Sequence, residues 1–322
     1  MEYFVIIALF LIIFLLFSYL YFYLKLENQS KIIKPDYGSF ANLSFGKIFY
    51  QWHEPENPNG EVIVLVHGFS TPSIVWKGIV PFLLNQGFRV LAYDHYGRGY
   101  SSRPKVNYTK EFYISTLNEL LDILKINQKI HLIGYSMGGP IVGYFANENE
   151  HRVSSINFIA PAGYMFETKS RMNIFLKILM LPVISDYVSI VFPSLMYGGN
   201  SSIEIKQNTD TKQIPQEELE RVYKEQMRYE GFTRSLLSTA KNFNLFNTKK
   251  MYQELGRKDF KFSVIWGTSD EIVPIEGLNS LKRDIPKINI ETVDNGYHDI
   301  TYAMPTKVGS FLANTIKLFS EK

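Results

Sequence analysis

A series of short, nearly continuous apolar runs decides which folds are open to this chain. "VIVLV" (62–66), "FRVLAYD" (88–94), "KIHLIG" (129–134), "SINFIAP" (155–161), "FSVIWG" (262–267) and "INIETVD" (288–294) are each too short for a helix. Most lack the strict apolar/polar alternation of a strand with one wet face. Strands of this type are buried on both faces, as in a parallel sheet covered by helices. Helix-patterned stretches such as Glu111–Leu124 and Pro140–Asn149 lie between them, so the chain reads as an α/β protein built from β/α units. "GKIFYQWH" (46–53) and a Pro/Gly/Asn turn precede the first buried run.

The alternation stops between Gly163 and Gly256, where the patterns are helical and no buried strand is legible. "PQEELERVYKEQMRYE" (215–230) places Leu219, Val222, Tyr223 and Met227 on one helical face. We therefore expect a core formed by residues 45–162 and 257–322, interrupted by a helical lid over 163–256, with 28–44 as a linker.

Residues 1–27 are expected to be a membrane anchor and its flank. From Tyr3 to Leu24 there is no charged side chain. As a helix this run measures about 33 Å, against roughly 30 Å of bilayer hydrocarbon. A cleaved signal peptide fits less well: Met1 and Glu2 supply no basic n-region, the apolar run is too long, and no A-x-A site follows. Lys25, Lys31 and Lys34 after the span favour a cytoplasmic catalytic domain, while Glu27 and Asp36 nearby leave the reverse orientation open.

Composition excludes several classes of function. A formal net charge of +3 with 20% charged residues gives no basic footprint for nucleic acid. The chain has no cysteine, which removes thiolate nucleophiles and Cys-based metal sites. Its six histidines form no H-E-x-x-H or H-x-H pattern, which argues against zinc.

"HLIGYSMGGP" (131–140) carries the chemistry. G-x-S-x-G alone is a weak pattern, but here a buried strand precedes it and a helix pattern follows. A serine oxygen presented at a strand end needs a turn so sharp that neighbouring side chains would clash. Gly134 and Gly138 give the room, and Gly139 lets the next helix pack closely. A serine hydroxyl needs a histidine base, itself oriented by a carboxylate. "WGTSDEIVP" places Asp270, and "NGYHDI" places His298, just beyond late strands and so at the same sheet edge as Ser136. Glu271, Asp294 and Asp299 compete for the carboxylate role, and loop position selects Asp270. An acyl-transfer intermediate also needs oxyanion donors. The backbone N–H groups of Phe69, in the "VLVHGFS" turn, and of Met137 are the candidates; His67 is read as holding that loop by hydrogen bonds.

With these residues in place the sequence resembles the α/β-hydrolase fold family over about residues 45–320. The resemblance rests on "HGFS", "DHYGRGYSSRP" (94–104), "GYSMGG", "GTSDEIVP" and "GYHDI", in that order. It implies a mostly parallel sheet flanked by helices, the nucleophile, acid, base order Ser136, Asp270, His298, a structural role for Asp94–Ser101, and no metal or organic cofactor. "MRYEGFTRSLLSTAKNF" and the N-terminal span are similar to membrane-anchored monoacylglycerol-lipase-like serine esterases. A lipid ester is the implied substrate and the membrane the implied partner. Of the uncharged run between Lys177 and Asp186, followed by Tyr187, Val188, Ile190, Val191 and Phe192, part must face the core, and what remains would line an acyl groove or touch the bilayer. The alternatives are a peptidase or C–C bond hydrolase using the same three residues, and a membrane-tethered binding module without activity.

Overall fold

The computed structural model describes residues 2–33, 35–165, 181–192, 205–206 and 210–321; residues 166–180, 193–204 and 207–209 of the expected lid lie outside them. Eight strands form one sheet in the order β1-β2-β4-β3-β5-β6-β7-β8. They are β1 (Ser39–Leu43), β2 (Gly46–His53), β3 (Val62–Val66), β4 (Arg89–Tyr93), β5 (Ile130–Tyr135), β6 (Val153–Ile159), β7 (Lys261–Gly267) and β8 (Asn289–Val293). From β4 to β8 every pairing is parallel, and β2 pairs antiparallel with both β1 and β4.

The apolar runs are continuous because the sheet has a core on each face. Along β3, Val62, Val64 and Val66 enter one core, and Ile63 and Leu65 enter the other. Ile130 and Leu132 of β5 join the first, Ile133 and Tyr135 the second. One side is covered by α3 (Lys110–Ile123) and α4 (Gly138–Glu148), the other by α2 (Val80–Leu84) and α11 (Pro305–Ser320). Full burial of each such aliphatic side chain contributes about 1.5–3 kcal/mol.

β1 was not expected: it lies inside the presumed linker 28–44. Its residues SFANL bury only Ala41 and Leu43. As an outer strand it depends on backbone pairing with β2, from Ser39 opposite Tyr50 to Leu43 opposite Gly46, and an apolar pattern carries little of that signal.

The chain leaves β3 for β4 on one side and returns across β3 to β5 on the other. Strand order therefore reverses at the β3/β5 boundary, where open α/β sheets form a crevice at the strands' carboxyl ends. Between β6 and β7 the described residues form α5 (Pro182–Val191), α6 (Gln216–Met227), α7 (Phe232–Asn242) and α8 (Lys249–Leu255). Leu219, Val222 and Tyr223 are buried on the expected face of α6. α8 already packs against α4, so the chain rejoins the sheet layer just before residue 256. Beyond β7 come α9 (Gly277–Asp284) and α10 (Ile300–Ala303). At the other end, α1 (Glu2–Leu24) is a 23-residue helix, apolar enough over Tyr3–Leu24 to cross a membrane and unburied along that stretch.

Candidate active site

Ser136 follows the last residue of β5 and takes φ +53, a left-handed conformation that costs a non-glycine residue about 1–3 kcal/mol. Backbone bonds hold it there: its N–H donates to Ile159 O at 3.0 Å, and its carbonyl accepts from Gly139 and Ala162. Two glycines are sterically required around it. A Cβ at Gly138 would sit 2.0 Å from Val66 O, and one at Gly134 would sit 2.5 Å from Gly138 O. At Gly139 the obstruction is Pro161 at 2.5 Å.

The expected side chains converge on this turn. His298 Nε2 lies 2.9 Å from Ser136 Oγ, and its Nδ1 lies 2.7 Å from Asp270 Oδ2. Asp270 Oδ1 accepts from the N–H groups of Ile272 and Val273 at 3.0 and 2.8 Å. With that oxygen occupied by donors, the carboxylate presents the other to His298, which favours the tautomer with the proton on Nδ1. His298 Nε2 is then an acceptor for the serine O–H. Two of the three competing carboxylates are engaged elsewhere: Glu271 pairs with Lys206, and Asp299 accepts from the Lys206 N–H.

Phe69 and Met137 lie in the turns after β3 and β5, neighbouring parallel strands. Among the described residues neither N–H donates to a protein acceptor, which leaves both groups available as donors. His67 holds the first of these turns. Its Nδ1–H donates to Gly68 O at 2.9 Å and its Nε2 accepts from the His95 N–H at 2.9 Å, while His95 Nε2–H donates to His67 O at 3.1 Å. Asp94 buttresses the same region: its two carboxylate oxygens accept from the N–H groups of Ser73 and Tyr100. This agrees with a structural role for Asp94–Ser101.

Two contributors were not singled out from the sequence. Tyr135 donates its hydroxyl to His298 O at 2.7 Å, and its ring lies 5.2 Å from the imidazole; burial pushes the phenol well above its ordinary range, so it remains a neutral donor. Arg98 is buried among neutral oxygens, with Nε on Phe69 O and its two terminal nitrogens on Ser235 Oγ and Thr239 Oγ1 of α7. It joins the Phe69 turn to the insertion. Both residues lie inside quoted motifs, but their partners are remote in sequence.

The paired imidazoles have a consequence for stability. Burial, with the Arg98 cation beside it, lowers His95 to about 3, and burial holds His67 well below its ordinary value. Between about pH 6.5 and 3 the unfolded chain binds protons that the folded chain rejects. Stability from this source is complete above pH 6.5 and falls on acidification, by up to about 1.4 kcal/mol per pH unit for His95 alone. Asp94, whose carboxyl is raised by burial, works in the opposite direction. Urea midpoints measured from pH 7 to 4 are expected to fall steeply for the native chain and less steeply for His95→Phe. Equal slopes would remove His95 from the explanation.

Comparison with known proteins agrees with this architecture. A monoacylglycerol lipase of Xenopus laevis is 23% identical over 280 residues, covering 86% of this chain and 80% of that protein. Among solved structures, an esterase from Exiguobacterium antarcticum superposes with a TM-score of 0.69 at 19% identity, covering 87% of this chain and 99% of that one. A bromoperoxidase from Bacillus anthracis gives 0.66 at 22%, covering 88% and 100%. The family model described as alpha/beta hydrolase fold matches residues 61–302, and the chain belongs to that family.

Proposed function

We propose that the protein is a membrane-anchored serine hydrolase that cleaves monoacylglycerols or similar lipid esters through an acyl-enzyme. One observation carries the reading: Ser136, His298 and Asp270 form a continuous hydrogen-bonded chain at the crevice where two backbone N–H groups stand free. Ser136 Oγ attacks the ester carbonyl carbon while His298 Nε2 takes its proton. Asp270 steadies the imidazolium that forms, and Phe69 and Met137 N–H stabilise the oxyanion. As the tetrahedral intermediate collapses, the C–O bond to the alcohol breaks and His298 returns the proton to the leaving oxygen. Water, activated by the same imidazole, then attacks the acyl-serine; the fatty acid leaves and Ser136 recovers its proton.

The monoacylglycerol lipase and esterase relatives support ester over amide chemistry. The unburied apolar helix Tyr3–Leu24 supports a single membrane span, with the basic residues after it favouring a cytoplasmic catalytic domain. Long-chain monoacylglycerol in vesicles and p-nitrophenyl esters are expected to be hydrolysed at least about 100-fold faster, in kcat/KM, than aminoacyl amides of matched size. Faster turnover of the amides would overturn the ester assignment. Failure of a fluorophosphonate probe to label Ser136 would overturn the activity altogether.

A further inference from the structure

A helix on a water-facing surface turns its aliphatic stripe inward and its polar residues outward. α5 reverses this. Lys241 of α7 donates to Ser185 Oγ, and the positions one turn on from Ser185, Val188 and Ser189, are buried with it. The side toward the protein thus carries two serines and a single aliphatic residue, Val188. The opposite side carries Val183, Ile184, Tyr187, Ile190 and Val191, and Val183 is 83% exposed. Asp186, also exposed, falls on the edge between the two sides.

The apolar side of α5 meets the N-terminal helix. Tyr187 hydroxyl lies 2.8 Å from Ser18 Oγ, and its ring stacks on Tyr19 at 6.5 Å. The chain leaving α1 is fastened to the same insertion. Glu27 N–H donates to Arg228 O and Glu27 O accepts from Glu230 N–H, each at 2.8 Å. Glu27 also pairs with the Arg228 guanidinium, and Asn28 donates to the Glu230 carboxylate. α1 is therefore docked on the catalytic domain rather than joined to it by a free tether.

The contact also gives a depth. Ser18 stands six residues before Leu24, about 9 Å inside the end of the span at 1.5 Å per residue. Amphipathic helices lying in a membrane plane sit about 5–10 Å into the headgroup/acyl boundary. The contact with α1 and the outward aliphatic face place α5 at the same level. We infer that α5 and α1 form a two-helix membrane unit. α5 lies in the plane of the bilayer, its Val183–Ile184 face against the acyl chains of the leaflet next to the catalytic domain. This rests on reading α1 as a membrane span. α5 packs on α7, and α7 reaches the Phe69 turn through Arg98, so a chain of contacts links the embedded unit to that turn.

The absence of cysteine makes the test direct. Full-length protein carrying Val183→Cys, Ile184→Cys, Leu11→Cys or Lys250→Cys is labelled with an environment-sensitive dye and reconstituted in phosphatidylcholine vesicles. Lys250, on α8, is the water reference, its side chain 92% exposed. Dyes at positions 183 and 184 are expected to be quenched by a nitroxide on the lipid acyl chain, and to be roughly fivefold less sensitive to aqueous iodide than the dye at 250. If they respond to iodide as the reference does while the dye at position 11 is reached by the nitroxide, α5 lies in water and the inference fails alone. If position 11 also escapes the nitroxide, the span itself is wrong and the inference falls with it. Using two positions on α5 guards against one substitution disturbing the helix, and unchanged thermal melting qualifies each variant.

Discussion

Ser136→Ala is expected to lower kcat for ester hydrolysis by about 10⁵- to 10⁶-fold and to abolish fluorophosphonate labelling, with little change in melting temperature. The size follows from what is removed. Where a serine, a histidine and a carboxylate act as a unit, loss of the nucleophile costs nearly as much as loss of all three, and the residual rate comes from substrate binding and the oxyanion donors. The small stability change follows from the surroundings. The turn at Ser136 is held by backbone bonds to Ile159, Gly139 and Ala162, none of which uses Oγ. Alanine adopts φ +53 no more readily than serine, so the strain is unchanged. The one group left without its donor, His298 Nε2, belongs to a side chain that is 17% exposed, where water can replace the hydroxyl. A kcat within tenfold of the native value in the alanine variant would place the nucleophile elsewhere.

The parts of this molecule that were legible in its sequence are those whose causes are local. β3 and β5 announce themselves because both faces of each strand are buried, which makes nearly every residue apolar in turn, His131 being the exception. The Ser136 turn is legible because three nearby glycines answer to close obstructions: Val66 O, Gly138 O and Pro161. Asp270 and His298 could be placed because each follows a recognisable strand. What escaped depends on partners far along the chain. Arg98 binds Ser235 and Thr239, 137 and 141 residues away, and nothing near position 98 encodes that. Tyr135 reads as one more apolar residue at a strand end until its hydroxyl meets His298 O, 163 residues on. β1 escaped because an edge strand buries little. In α5 the composition left open which residues face the protein, and the buried side carries Ser185, Val188 and Ser189.

Asp270→Asn is expected to lower kcat by about 10⁴-fold while leaving the fold intact, because it inverts the histidine tautomer rather than removing a contact. The two ends of the carboxylate have different duties. Oδ1 accepts from the N–H groups of Ile272 and Val273, and these donors dictate that the oxygen of an asparagine takes that place. Its NH2 group is then left facing His298 Nδ1, and two donors cannot satisfy one another. The imidazole answers by moving its proton to Nε2, where it meets the Ser136 hydroxyl as a donor and can no longer accept the serine proton. Histidine Nε2–H and Nδ1–H forms can be separated by the ¹⁵N shifts of His298, so the tautomer is measurable independently of rate. Glu271→Gln is the control: Glu271 is adjacent in sequence but pairs with Lys206 at the surface, where exposed ion pairs contribute about 0–1 kcal/mol, and its kcat should stay within about twofold of native. If Glu271→Gln proved the more damaging change, or Asp270→Asn left the tautomer as it was, the carboxylate that orients His298 would have to be sought among the other acidic residues of that sheet edge.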